Sequence, residues 1–413
     1  MSTYNYVVTA QKPTSVQFAV KGPFTAPDDV NLILSKGTRI EIFTLTPEGL
    51  KPVTEFGIYG RIAAMDLYRI PNRPTSTLFI LTERYKFTIL SYDPVSHDLI
   101  TEATGDVRDR TGQPCDDGSV GIVDPEYRMI GLYLYKGIFK CLPLETIGSG
   151  KGKEKEGIMG RDKELDKDKG KGKGKEVVRK RVGEVGEAFN VRLEELQIIS
   201  MTFLHGCPHP TLAILYQDTK EVCHVKTYEF NLRDKDKFEG QFAQQNVEPA
   251  ANLLIAVPTP LGGALVVGEQ TITYLSPNQA PRAISMSTTV MKTYGQVDQD
   301  GSRYLLGDYL GNLYILVLIA EGGSVVDLKL ERLGETSVSS CLVYLDNGYA
   351  FVGSHYGDSQ LIRLESERNE QGEYIEIIDR FINLAPISDF CVVNLERQGQ
   401  GQVLMELMWR CLL

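Results

Sequence analysis

A chain of 413 residues and 46.0 kDa is too long for one small domain. It can supply two ordinary domains or one large repeat fold. Its 42% apolar and 24% charged residues are ordinary for a globular protein, and its longest unbroken apolar run, Leu313–Ala320, is well short of the about 20 residues a membrane helix needs, so a bilayer-crossing chain is excluded. The net charge of −10 is uneven: residues 151–181 carry +6, leaving −16 on the rest, and a body that acidic does not attract phosphate backbones.

The chain begins MSTYNYVVTAQK, with no basic segment leading into an apolar one, so no secretory signal is expected. Residues 1–14 read as a segment ahead of the repeats. Seven cysteines, spread from Cys115 to Cys411, form no disulfide framework; they read as free thiols in a reducing compartment, which places the protein inside the cell.

From Leu32 onward one hairpin recurs: an apolar strand, a short turn, and a strand alternating toward Leu or Tyr. Its copies start at Leu32, Leu78, Met129, Thr211, Ala264, Tyr304 and Ala350, with turns near Gly37, Arg84, Gly137, Asp218, Glu269, Gly311 and Gly357. The turns are spaced by 47, 53, 81, 51, 42 and 46 residues. The long interval holds a Lys/Gly-rich stretch at 148–187, too poor in apolar residues to offset its ordering entropy and therefore expected to be disordered. It is either a solvated loop or, through KEVVRKR, a nuclear import signal or electrostatic tether. Without it the period is that of a four-stranded propeller blade.

The other two strands of each unit are also legible. Short apolar segments precede most hairpins (RIAAMDLY from Arg61, GIVDP from Gly121, SVSSCLVYL from Ser337) and suit channel-lining strands. More polar ones follow (KPVTEF from Lys51, VVDLKLERL from Val325, EYIEIIDRF from Glu373) and suit an exposed outer edge. Helical periodicity is almost absent; VRLEEL from Val191 hints at a single turn. The expected fold is an all-β, seven-bladed β-propeller over 15–386. With no GH…WD pairs and one Trp, Trp409, in the tail, it is not a WD40 array. ISDFCVVNLE from Ile387 reads as the first strand of a second propeller. Residues 387–413 then appear cut short: the apolar stretch Val403–Leu413 has no expected partner and should be exposed.

Chemistry is sparse. G-x-S-x-G, H-E-x-x-H, C-x-x-C and the phosphate-binding G-x-x-x-x-G-K-[ST] are missing, so no enzyme, cofactor or resident metal is expected. His205, Cys207 and His209 in LHGCPHP, with Cys223 and His224, hold zinc only if they converge; a Pro-stiffened loop explains them otherwise. Asp116 and Asp117 fit turn chemistry.

Several long strings carry a resemblance: YNYVVTAQKPT from Tyr4, DRTGQP from Asp109, DPEYRMIGL from Asp124, NVRLEEL from Asn190, HVKTYE from His224, DGSRYLLGD from Asp300, LGETS from Leu333, YLDNG from Tyr344, GDSQL from Gly357 and ERQGQGQ from Glu396. With these the sequence resembles the family of large subunits of the damage-specific DNA-binding protein. The resemblance implies a three-propeller adaptor that joins substrate receptors to a cullin-4 ubiquitin ligase, in nucleus and cytoplasm, with receptors gripped by the first and third propellers and the cullin by the second. It further implies that this chain is the receptor-binding first propeller, that cullin contact is lost, and that damaged DNA is met only through a receptor. The sequence departs from the family after Gln402 and in the length of the 148–187 insertion.

In a propeller, the turn between the second and third strands and the crossing to the next blade share one end. In the seventh unit these present His355, Tyr356, Pro386 and Ile387, an aromatic and apolar set that suits an interface core. Arg303, Tyr309 and Asn312 of the sixth unit are expected to extend it. Direct nucleic-acid binding through the basic insertion, and an RNA-processing scaffold of the polyadenylation or splicing kind, are the alternatives.

Overall fold

The computed structural model describes residues 11–70, 73–110, 112–116, 118–144, 185–384, 387–393 and 402–407. Every element among them is a β-strand. Seven four-stranded antiparallel sheets, each a simple meander, occupy 18–57, 62–106, 120–192, 198–247, 253–285, 291–335 and 341–381. We number these blades one to seven. The seven turns read from the sequence all fall between the second and third strands of a blade.

Seven apolar clusters hold the ring together, one at each junction between neighbouring blades. This explains the continuous apolar runs. Side chains alternate across a strand, and a second strand has a blade on each side. In Asn31–Lys36, Leu32 and Leu34 enter the cluster shared with blade seven, while Ile33 enters the one shared with blade two. In Thr77–Thr82, Leu78 and Ile80 face blade one, and Phe79 and Leu81 face blade three. The outer strands have water on one side, and their burial alternates instead, as in Gly49–Gly57 and Asp98–Asp106.

Three expectations need correction. VRLEEL forms no helical turn: Phe189–Arg192 is the outer strand of blade three, and the chain beyond it bends at Glu194 and Leu196 before the next strand begins at Ile198. Val191, Leu193 and Glu195 are buried in strict alternation, Glu195 because it accepts the Tyr228 hydroxyl at 2.8 Å and lies 3.5 Å from Lys226 Nζ. The 148–187 insertion ends earlier than expected. Residues 145–184 lie outside the described residues, but Val185 bridges Leu144, Gly186 N–H donates to Pro143 O and Glu187 pairs with Lys235, so 185–187 are held against blades three and four. Finally, the tail is not unpaired over Val403–Leu407, and 408–413 lie outside the described residues. Gln402–Leu407 runs antiparallel to Ile387–Val393, with Phe390 opposite Met405 and Val392 opposite Val403, as a two-stranded sheet separate from the blades.

The first strands ring an axial channel. Asp66 on blade two is near enough to Tyr294 on blade six to help raise the pKa of its hydroxyl, which burial raises most, although their blades are not neighbours, so both project toward the axis. Desolvation raises the Asp66 carboxyl from its ordinary 3.8 to about 6, although it accepts hydrogen bonds from Leu67 N–H and Val123 N–H. A raised carboxyl favours the protonated fold: its cost is absent below about 3.8 and complete above about 6. Asp66→Asn, which keeps an acceptor for Leu67, should therefore stabilise the propeller by roughly 1–2 kcal/mol at pH 8, allowing for solvent in the channel, and by almost nothing at pH 3.5. Chemical denaturation at the two pH values measures this; an equal gain at both would mean the charge is not the cause.

Candidate partner-binding face

The end of the propeller that carries the second-to-third-strand turns and the blade crossings differs sharply from the other. Tyr59, Leu196, Tyr309, Leu310, Tyr356, Ile382 and Leu384 are all exposed there, Tyr59 completely and Ile382 at 77%. In the loops of the opposite end, among the described residues, the one large apolar side chain so exposed is Val95. A recess of about 730 Å³ opens at the channel mouth between Phe18, Ile62, Ala63, His355 and Tyr356.

Buried polar residues fix the loops that present these side chains. In blade six, fully buried Asp308 ends the second strand and organises the turn after it. Its Oδ1 accepts Leu310 N–H at 2.9 Å and Asn312 N–H at 2.8 Å; its Oδ2 accepts Thr289 Oγ1 at 3.0 Å and Asn312 Nδ2 at 2.9 Å. Gly311 turns the chain at φ +94°, and a Cβ there would meet Thr336 O at 2.4 Å, so only glycine fits. Tyr309 and Leu310 are thereby pushed outward. In blade seven, Asn383 of the crossing donates to His355 O at 3.0 Å and Gly357 O at 3.1 Å, and Asp358 Oδ1 accepts Asn383 N–H at 2.9 Å. This joins the Tyr356 turn to the segment bearing Ile382 and Leu384.

The sequence candidates divide accordingly. Tyr356 and Tyr309 stand exposed on this face. His355 is on it but engaged: its ring bonds Ser15 Oγ and takes the Tyr356 ring edge-on at 4.9 Å, and burial, with Arg61 nearby, lowers its pKa. Asn312 is on it too, yet its amide is spent on Asp308 and on Arg332 Nε at 2.9 Å. Pro386 lies outside the described residues, and of Ile387 only the backbone is described, opening the strand paired to Leu407. Arg303 does not extend this surface. It begins the second strand of blade six whereas Asn312 begins the third, and antiparallel strands start at opposite ends; Arg303 lies on the far face, forked onto Asp298 with Nη2 to Oδ1 at 2.9 Å. Leu196, Tyr59, Leu310, Ile382 and Leu384 were missed by sequence reasoning. The available signal was an apolar residue in a crossing or, for Leu310, in a second-to-third-strand turn, where the blade core needs none.

The histidine and cysteine positions do not converge. His205, Cys207 and His209 sit in the loop before Thr211, while Cys223 and His224 begin the strand whose first residue pairs with Gln217, at the other end of blade four. Among the described residues no three His, Cys, Asp or Glu side chains group as metal ligands. Asp116 pairs with Lys136; Asp117 lies outside the described residues.

A ring of seven meandering blades without WD pairs, with the exposed apolar side chains of its loops gathered almost wholly on one end, is a β-propeller outside the WD40 class. The chain belongs to the family of the RSE1/DDB1/CPSF1 first β-propeller, whose profile matches residues 15–382. It is 50% identical over 403 residues to DNA damage-binding protein 1a of Arabidopsis thaliana. It is 49% identical to DNA damage-binding protein 1 of Oryza sativa subsp. japonica and of Solanum lycopersicum over the same length. Each alignment covers 98% of this chain and 34% of the relative, so the chain spans about a third of the length of these proteins.

Proposed function

We propose that this propeller is a non-enzymatic protein-interaction module that engages substrate-receptor proteins of a cullin-4 ubiquitin ligase in the DNA-damage response, in nucleus and cytoplasm. The observation that carries the reading is the one-sided arc of exposed apolar side chains from Tyr59 to Leu384, since aromatic and apolar anchors supply most interface energy. The likeness to DNA damage-binding proteins at about 50% identity supports the damage-response setting over RNA processing. In this reading the propeller contacts the receptor and not the cullin, whose docking surface the family resemblance assigns to a second propeller. Damaged DNA is reached through the receptor, because the body outside 151–181 carries −16.

Affinity capture of the tagged chain from cells, followed by identification of what co-purifies, tests this. Receptor proteins without stoichiometric cullin are expected. Polyadenylation or splicing factors in their place would overturn the reading, as would salt-sensitive nucleic-acid binding lost on deleting 148–184.

A further inference from the structure

Blades one and seven each take all four strands from contiguous sequence, so among the described residues no exchanged strand closes the ring. The junction is closed by the apolar cluster the two blades share and by residues 14–17, which run ahead of blade one along blade seven. Val16 is buried in the junction cluster with Leu34, Phe43, Val343 and Phe351, entering beside Gly353, where a Cβ would stand 2.9 Å from Val16 Cγ1. Val16 N–H donates to Ser354 O at 3.1 Å, and Ser340 Oγ donates to Val16 O at 2.6 Å. One residue earlier, Ser15 Oγ meets the His355 ring. Thr14 Oγ1 donates to Asn383 Oδ1 at 2.8 Å and accepts Leu384 N–H at 3.0 Å.

These bonds end on the residues that set the partner-binding loops. Asn383 is only 6% exposed and has both side-chain polar atoms and its backbone N–H in use: Oδ1 on the 14–17 segment, Nδ2 on the Tyr356 turn, and N–H on Asp358. The bridge that closes the ring and the bridge that holds Tyr356 beside Ile382 and Leu384 therefore share a side chain.

We infer that residues 14–17 form a strap that couples closure of the propeller to the conformation of its partner-binding loops. With the strap engaged, the 354–358 turn and the 382–384 crossing form one surface; with it released, Asn383 loses an anchor and both loops loosen together. A partner that binds the ordered surface must then tighten the strap, because coupling between two sites is reciprocal. The coupling to a partner rests on the proposed function; the coupling of strap to loops does not.

Thr14→Val and Ser15→Ala in the full chain remove the strap's side-chain bonds while keeping Val16 in the core. Hydrogen exchange should accelerate about tenfold at residues 355–358 and 384, the scale of one or two lost hydrogen bonds, with the amides of blades three to five unchanged. Unchanged exchange at 355–358 would overturn the inference, and so would a uniform rise across all blades, which would report general destabilisation. The second measurement uses a purified receptor subunit of a cullin-4 ligase. The unaltered chain should bind it, and the strap variant should bind several-fold more weakly. Equal binding by both would overturn the coupling to partners. Failure of the unaltered chain to bind, with the exchange result intact, would sink the functional reading and leave the strap standing.

Discussion

Tyr356→Asp with Ile382→Asp is expected to abolish receptor capture, lowering affinity by at least about 100-fold, while thermal unfolding stays close to that of the unaltered chain. The two side chains are 51% and 77% exposed, on a turn and a crossing that Asn383 joins. Apolar anchors at an interface are worth about 2–4 kcal/mol each on truncation, and two carboxylates forced into a desolvated contact add a further penalty. The free protein pays neither cost, because both positions are already in water. Val95→Asp, on the opposite end, is the control and should leave capture unchanged. Capture that ignores the double change would remove this face from the interface. Capture that falls equally with Val95→Asp would point to a non-specific charge effect.

The blades were legible in the sequence because propeller burial leaves a simple trace. A second strand flanked by two blades is buried at every position and so runs apolar through its middle, as TLFILT at Thr77–Thr82 and MIGLYLY at Met129–Tyr135 show directly. The interface was legible only in part. Tyr309 and Tyr356 stand out as aromatic residues in tight turns. His355 and Asn312 looked equally available, but what commits them is not local in the same way: His355 is held by Ser15, 340 residues away, and Asn312 by a buried carboxylate four residues before it. Arg303 was misplaced through strand direction, which the hairpin pattern already contained. VRLEEL misled because Glu195 fills a buried position in the crossing after the outer strand; with an apolar residue there, the alternating burial of Val191, Leu193 and Glu195 would have been plain. The pairing of Gln402–Leu407 with Ile387–Val393 was hidden by an expectation that a new strand must begin a full blade.

The junction between blades three and four should be the place where one truncation costs most. Phe139, on the third strand of blade three, is fully buried, stacks on Phe230 with ring centroids 5.3 Å apart, and meets Phe203 edge-on at 6.3 Å. Both partners belong to blade four, so this aromatic trio ties two blades together. Phe139→Ala should cost about 3–5 kcal/mol, from lost burial and the cavity that a ring of strands cannot close by shifting one side chain. For a propeller of this size that is a fall of roughly 4–7 °C in the unfolding midpoint. Gly131 gives the complementary test. A Cβ there would stand 2.3 Å from Phe139 Cζ and 3.0 Å from Phe203 Cε2, so Gly131→Ala overpacks the same site and should cost about 1–3 kcal/mol. Phe139→Leu vacates the ring tip that this Cβ would strike. Gly131→Ala combined with Phe139→Leu should therefore destabilise less than the two single changes added together, with a coupling of about 1 kcal/mol. Strict additivity, measured by denaturant unfolding of the four proteins, would mean that the glycine is required by the backbone and not by the ring it faces.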